Sequence, residues 1–326
     1  MSKTAPNVSV YGTVYNSAFA IGDCLKSLVS QFDFNGDYEF IAVDNYSTDG
    51  TFEVLQKYAE KYRNFRVIQQ KCTKGVGRTV AYQNTRGKYT FYVDLDTVYL
   101  PGFSKLIKRF VTGYNKNSMF PFGFMDRMTA DRAIPWKDMN TYEDLEFEAR
   151  LISDGVSAYY IPVTLAKNYI VTGNRDMRYE KKNIKLIRRL YRNLIYGIKG
   201  RGIKDFRELR KRYTGIRFAF AALVLLKMKI FREGTYAYSD LSSNTEYVKR
   251  NEIILDPNEF GVEKRYWLSF VQPRFLELDT ANAIIEKHLK LGFNRMSFLK
   301  NGLILIYTDA TDKKLLDYSL KFLQNY

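Results

Sequence analysis

Tyr38-Glu39-Phe40-Ile41-Ala42-Val43, followed by Asp44-Asn45-Tyr46-Ser47-Thr48-Asp49-Gly50-Thr51, decides the fold. The first six residues read as a buried strand. The polar run after it reads as a loop in which Asp49 or Thr51 caps a helix reaching about Tyr62. Outward from this unit the same rhythm recurs. Val8–Val14 reads as a strand with a turn at Tyr15-Asn16-Ser17. Ala18–Ser30 carries Phe19, Ile21, Leu25, Leu28 and Val29 at helical spacing. Downstream, Phe65–Ile68 reads as a strand, Val76–Thr85 as a helix and Tyr89–Val93 as a strand running into Asp94-Leu95-Asp96. Strand and helix in alternation predict an α/β fold: a mostly parallel sheet with helices on both faces. Such sheets bind ligands at the carboxyl ends of their strands. Asp44 and the Asp94/Asp96 pair stand at such ends.

Composition narrows the chemistry. With 326 residues, 46% apolar and 26% charged, the chain has room for one large domain or two ordinary ones around a real core. His288 is the single histidine, and Cys24 and Cys72 are the two cysteines. A His/Cys metal cluster and a disulfide framework are therefore excluded, and a metal has to sit on oxygen ligands, which favours Mg or Mn. Met1–Asn7 is polar and shows no signal peptide, and few cysteines fit a reducing cytosol. The longest apolar run, Phe218–Leu226, is nine residues, whereas a membrane span needs about 20.

Each acidic feature has two readings. Asp94 and Asp96, two apart beyond a strand, can hold a divalent cation that neutralises a diphosphate, or can simply turn the chain. Asp44 can accept a hydrogen bond from a nucleobase or ribose, or shape a turn. Glu143-Asp144 opens an apparent helix, where carboxylates complement the dipole. An Asp at that place can also act as a general base toward an attacking hydroxyl.

Together these features resemble the inverting family 2 glycosyltransferases of the GT-A, Rossmann-like fold. The resemblance covers about residues 7–171. It is carried by Val8–Asn16, by Ser27-Leu28-Val29-Ser30-Gln31, and by Asp44-Asn45-Tyr46-Ser47-Thr48-Asp49-Gly50-Thr51 against the family's D-x-x-S-T-D-G-T. Gly77-Arg78 with Arg86-Gly87-Lys88-Tyr89, Asp94-Leu95-Asp96 at the D-x-D position, and Glu143-Asp144 with Arg150-Leu151 complete it. The resemblance implies a metal-dependent transfer of a sugar from a nucleotide-diphosphate sugar to a hydroxyl or phosphate. Asp144 would be the catalytic base and Glu143 would help shape the acceptor site. Asp96 would bind Mn or Mg and the diphosphate, and Asp94 the ribose or the metal's water shell. Asp44 would contact the base, Arg78 the base or phosphates, and Thr13 and Tyr15 would line the nucleoside pocket. UDP-sugars are the first expectation for the donor and GDP-sugars the second. Trp136 can stack on a sugar face or lie partly buried beneath its loop. Arg78-Thr79 replaces the usual Arg-Asn, and Asp44-Asn45 the common Asp-Asp. The Gln-x-x-Arg-Trp motif of processive synthases is absent.

The formal charge of +16 is concentrated. Arg178–Arg217 holds 15 Lys or Arg against 3 acids. Within it, Lys181–Lys199 places Ile184, Ile187, Tyr191, Leu194, Ile195 and Ile198 on one helical face and cations on the other. This is the pattern of a membrane-surface helix, or of a helix packed on the catalytic domain with a solvated basic face. Phe218–Phe231 reads as a second interfacial element. An anionic membrane surface is the expected partner, with a lipid-linked or saccharide acceptor and a peripheral place on the cytoplasmic face. Polyprenyl-phosphate sugar synthases in the resembled family point the same way. Nucleic acid is the weaker rival: Tyr179, Tyr191, Tyr196 and Tyr213 could stack on bases, but no binding motif accompanies them. The chain divides on this reading into a catalytic domain over 1–177, a basic helical segment over 178–250 and a small α/β unit over 251–326. In the last, Tyr266–Val271, Met296–Leu299 and Leu303–Thr308 read as strands, and Thr280–Leu291 and Lys313–Leu323 as helices. His288 reads as a surface residue, and Cys24 and Cys72 as incidental thiols. The opposing hypothesis is a non-catalytic membrane- or nucleic-acid-binding protein on a degenerate glycosyltransferase scaffold.

Overall fold

A computed structural model describes residues 6–113, 117–120, 123–161, 163, 166–168, 184–200, 203–232, 252–254, 257–261, 263, 268–271, 295–299 and 302–306. In chain order the first half carries β1 (Val8–Val14), α1 (Ala18–Val29), β2 (Tyr38–Asp44), α2 (Thr51–Lys61), β3 (Phe65–Gln69), α3 (Lys74–Gln83) and β4 (Tyr89–Asp94). It continues through β5 (Thr97–Tyr99), α4 (Phe103–Gly113), β6 (Ser118–Met119), β7 (Met125–Asp126), α5 (Arg127–Asp131), α6 (Glu143–Ser153), β8 (Ser157–Tyr160) and β9 (Ala166–Asn168). Then come α7 (Ile184–Gly200), α8 (Phe206–Arg212), α9 (Gly215–Ile230), β10 (Glu252–Ile254), β11 (Leu268–Val271), β12 (Arg295–Leu299) and β13 (Gly302–Ile306).

The central sheet has the order β3-β2-β1-β4-β7, parallel except for β7. Its inner strands are covered on both faces, so consecutive side chains enter opposite cores. Phe40 and Ala42 of β2 and Phe91 and Val93 of β4 join Ile21, Leu25 and Leu28 of α1 and Phe103, Ile107 and Phe110 of α4. Tyr11, Ile41, Val43 and Tyr92 face the other way, onto Ala81 and Tyr82 of α3 and Phe147, Leu151 and Ile152 of α6. The α/β expectation holds. The strand order turns back between β1 and β4, which places the ligand crevice at their carboxyl ends. Register fixes what meets there: Val14 stands beside Asp44, and Thr13 beside Asp94.

The cap of α2 differs in detail from the sequence reading. Gly50 occupies the cap position with φ of 95°, a left-handed conformation suited to glycine. Asp49 instead accepts from Thr51 N–H and, with its other oxygen, from Ala18 N–H at 2.9 Å. It thereby ties the starts of α1 and α2 together.

Helices α7, α8 and α9 share a separate small core of Ile198, Ile203, Leu209, Ala221, Val224, Leu225 and Met228. Leu194 and Ile195 of α7 pack against it. The expectation that this apolar side of α7 faces a membrane is corrected over these residues, because it closes the helical core instead. Past α9, β10 pairs in parallel with β8, and Phe260 lies in the core of the first half. Residues 252–254 and Phe260 thus contact that half. β12 and β13, expected as strands, pair antiparallel, and β11 pairs with β13. The helices expected over 280–291 and 313–323, and His288, lie outside the described residues. No described helix is long and apolar enough to cross a membrane.

Candidate active site

The site begins with two glycines. A Cβ on Gly75 would collide with Lys137 O, and one on Gly77 with Thr13 Oγ1. Their bare backbones let α3 press against β1 and against the loop before α6. Thr73 caps α3, its side chain accepting from Val76 N–H. Lys74 and Arg78, four residues apart, then project from one helical face toward Asp94 at the end of β4 and Glu143 at the start of α6. Lys74 Nζ lies 3.0 Å from Asp94 Oδ1 and 2.9 Å from Glu143 Oε1. Arg78 reaches the same two oxygens at 2.8 and 3.0 Å. Carboxylates 49 positions apart in sequence are thus held by one pair of cations.

Burial sets the electrostatics. Arg78 is 0% exposed, and its guanidinium lies over the Tyr92 and Trp136 rings, 4.4 and 4.8 Å from their centroids. Desolvation disfavours the charge on Lys74 and Arg78, but the attraction of Asp94 and Glu143 outweighs it and keeps both cationic. Desolvation likewise pushes Asp94 up, yet Lys74 and Arg78 prevail and hold it well below the usual carboxylate range. Asp144 behaves oppositely. Burial and the neighbouring Glu143 charge raise its pKa, and Lys74 and Arg78 offset this only in part. A carboxylate raised in this way is the stronger base.

The remaining expected residues fall into two groups. Thr13 and Asp94 are register neighbours at the β1–β4 crevice, and the Lys74/Arg78 clamp joins Asp94 to Glu143, which precedes Asp144 at the start of α6. Asp96 lies two residues beyond Asp94. Asp44 is fully buried at the end of β2, where its carboxylate accepts from Ser47 N–H and from Gln69 Nε2, both at 3.1 Å. Tyr15 is half-buried in the loop after β1, beside Asn16, whose Oδ1 accepts from Thr48 N–H at 2.9 Å.

Two expectations are corrected by burial. Arg78 has no surface from which to reach a nucleotide; it holds Asp94 and Glu143. Trp136, 2% exposed, stacks on Phe147 with ring centroids 3.9 Å apart and cannot offer an open face to a sugar. The departure at Thr79 has a structural use, since its hydroxyl accepts from Trp136 N–H at 3.0 Å. Asn45, in place of a second Asp, accepts from Cys72 N–H at 2.9 Å and joins the loops after β2 and β3.

Lys74 was missed by the sequence reading. The signal that could have found it is its spacing of four from Arg78. Tyr46, in the loop after Asp44, stands 54% exposed in a left-handed conformation. Cys24 is buried and Cys72 half-buried, and both are free thiols.

A metal can be tested against these donors. Among the described residues no three His, Cys, Asp or Glu side chains converge closely enough to hold an ion unaided. Asp94 is already engaged by two cations. Asp96, expected from the sequence to bind the ion, would offer one hard carboxylate oxygen of the kind Mg or Mn prefers.

Residues 9–151 match the model of the family described as glycosyl transferase family 2. The chain carries a family 2 glycosyltransferase domain. That domain is 39% identical over 92 residues to a poly(ribitol-phosphate) beta-glucosyltransferase of Bacillus spizizenii, covering 27% of this chain and 14% of that protein. It is 33% identical over 98 residues to the glycosyltransferase AglE of Haloferax volcanii, covering 29% and 32%. The chain thus matches a third or less of the length of these two relatives. Among solved structures, the mannosyltransferase PcManGT from Pyrobaculum calidifontis, in complex with GDP-Man and Mn2+, aligns over 76% of this chain and 81% of its own. The TM-score is 0.45 at 14% identity. S. aureus TarS 1–349 in complex with UDP-GlcNAc aligns over 93% and 97% with a TM-score of 0.41 at 14% identity.

Proposed function

We propose that this glycosyltransferase domain transfers a sugar, with inversion, from a nucleotide-diphosphate sugar to a hydroxyl or phosphate of a lipid-linked or saccharide acceptor. The observation that carries the reading is the clamp: Lys74 and Arg78 fix Asp94 and Glu143 together, and so bring Asp144 to the crevice where a nucleotide would lie. Thr13, Tyr15 and Asp44 face the nucleoside and Asp96 the diphosphate. UDP is the first candidate nucleotide and GDP the second. Mn or Mg held by Asp96 would neutralise the departing diphosphate as a Lewis acid.

The chemistry asked of the chain is then short. Asp144 takes the acceptor's proton as its oxygen attacks the anomeric carbon from the side opposite the diphosphate. The raised Asp144 pKa strengthens that base. Lys74 and Arg78 keep Asp94 and Glu143 ionised and fixed while the charge moves. The work takes place at the cytoplasmic membrane face, a reading supported by the basic segment over 178–250.

A thermal-shift panel of uridine, guanosine and thymidine diphosphates with and without Mn tests the donor site. A nucleotide at about 100 times its Kd should add about 2.7 kcal/mol of stability. A Mn-dependent rise with one nucleotide, lost in Asp96→Ala, is the expected result. No rise with any nucleotide would contradict the proposal.

A further inference from the structure

Helix α9 has two apolar faces. Ala221, Val224, Leu225 and Met228 close the small helical core. On the other side Ile216, Phe220, Leu223, Leu226 and Ile230 follow at intervals of four, three, three and four residues and make a second stripe. This stripe lies open: Ile216 is 74%, Leu223 64%, Ile230 65% and the adjoining Phe231 68% exposed. Large apolar side chains grouped on one surface in this way mark a contact with another phase or partner.

We propose that this outward face of α9 inserts into an anionic phospholipid bilayer and seats the domain on it. Charge selects the occupant. Gly215–Arg232 contains Arg217, Lys227, Lys229 and Arg232 and no acid, and all four cations are exposed. Lys229 lies over the ring of Phe206, 41% exposed, which extends the apolar surface onto α8. Cations at both ends of an apolar stripe, one before Phe220 and three after Leu226, complement lipid phosphates and acyl chains together. A second copy would bring the same cations against themselves, a like-charge juxtaposition that opposes a symmetric dimer. The helix has 16 residues, about 24 Å, too short to span a hydrocarbon core of about 30 Å, so it lies in the interface plane.

The seat connects to the catalytic end. Along α7, which packs on α9, Asn193 Oδ1 accepts from Thr141 Oγ1 at 3.1 Å. A Cβ on Gly197 would stand 3.6 Å from the Tyr142 ring. Tyr142 holds a left-handed φ of 66° immediately before Glu143-Asp144. Helix α7 and two residues, Tyr142 and Glu143, thus stand between the α9 surface and the proposed base Asp144, which suits an acceptor carried on a lipid. This last step rests on the proposed function; the docking surface does not.

Co-sedimentation of the full chain with vesicles of phosphatidylcholine alone, or with about 30% phosphatidylglycerol, reads the surface directly. The expected result is binding to the anionic vesicles that falls at least tenfold in Leu223→Gln/Ile230→Gln, while the nucleotide-dependent thermal shift is unchanged. Phe220→Trp should be quenched by brominated acyl chains in those vesicles. Vesicle binding equal in wild type and the double variant would overturn the proposal, as would no binding at all. Concentration-dependent dimerisation abolished by the double variant, without vesicle binding, would assign the face to a second copy instead. Loss of the nucleotide shift in every form would remove the proposed function and leave the vesicle result standing by itself.

Discussion

Both ends of the central sheet bury a carboxylate among cations, and they do so differently. At the amino end Glu39 of β2 accepts from Ser9 Oγ at 2.7 Å, from Gly87 N–H at 3.2 Å and from Arg86 N–H. Its cations, Arg66 and Arg86, keep 43% and 52% of their side chains in solvent. At the carboxyl end Arg78 is the interior partner, while Lys74 keeps 33% of its side chain in solvent. Arg78 is wholly buried, its Nε makes no hydrogen bond among the described residues, and the carboxylates it joins come from β4 and α6. Asp144 stands beside them with its charge disfavoured. The first arrangement completes its own hydrogen bonds and closes the chain. The second leaves one carboxylate in the less comfortable state that proton transfer needs.

The widest separation between the two ends is expected from Asp144→Asn. Sugar transfer should fall about 10²–10⁴-fold, while the thermal midpoint holds or rises, because the substitution removes a charge that Glu143 opposes. Initial rates with any accepted donor, alongside a melting curve, check this. Glu39→Ala should do the reverse. Two buried donors and one partly buried donor lose their acceptor, so urea unfolding should show a loss of about 3 kcal/mol, with kcat/KM per folded molecule unchanged.

Lys74→Met addresses the clamp itself. Protonated Asp144 cannot accept a proton, so activity should rise with pH through its pKa, which lies above the ordinary carboxylate value. Lys74 lowers that pKa, and its removal should move the acid limb of the pH–rate profile to higher pH. A limb that stays in place would detach Lys74 from the base. The smallest effect belongs to Trp136→Phe: about 1–2 kcal/mol of stability from lost packing, and no selective rise in the KM for the sugar donor, as befits a core ring.

Much of the fold was legible because its signals are local. The bounds of β1 and the start of α6 at Glu143 follow from apolar runs and from residues that suit helix starts. The order of strands, and so the meeting of Thr13, Asp44 and Asp94, needed the alternating rhythm and the position of the acids beyond each strand. What escaped depended on tertiary approach. Lys74 matters only because Gly75 and Gly77 let α3 close on the 137–139 loop. Trp136 turned inward because Phe147 and Arg78 offered its ring more contact than solvent did. Leu194, Ile195 and Ile198 have the periodicity of an interfacial helix, and periodicity does not distinguish lipid from neighbouring helices; α9, with two apolar faces, supplies the outward one.

Hydrogen exchange with and without a nucleoside diphosphate and Mn compares the two ends of the sheet in a single experiment. Slower exchange at residues 13–16, 44–47, 95–97 and 143–145, with none added at 9, 39 and 86–87, is the expected outcome. Protection confined to the helices over 184–232, or found nowhere, would contradict the assignment of the carboxyl end as the donor site.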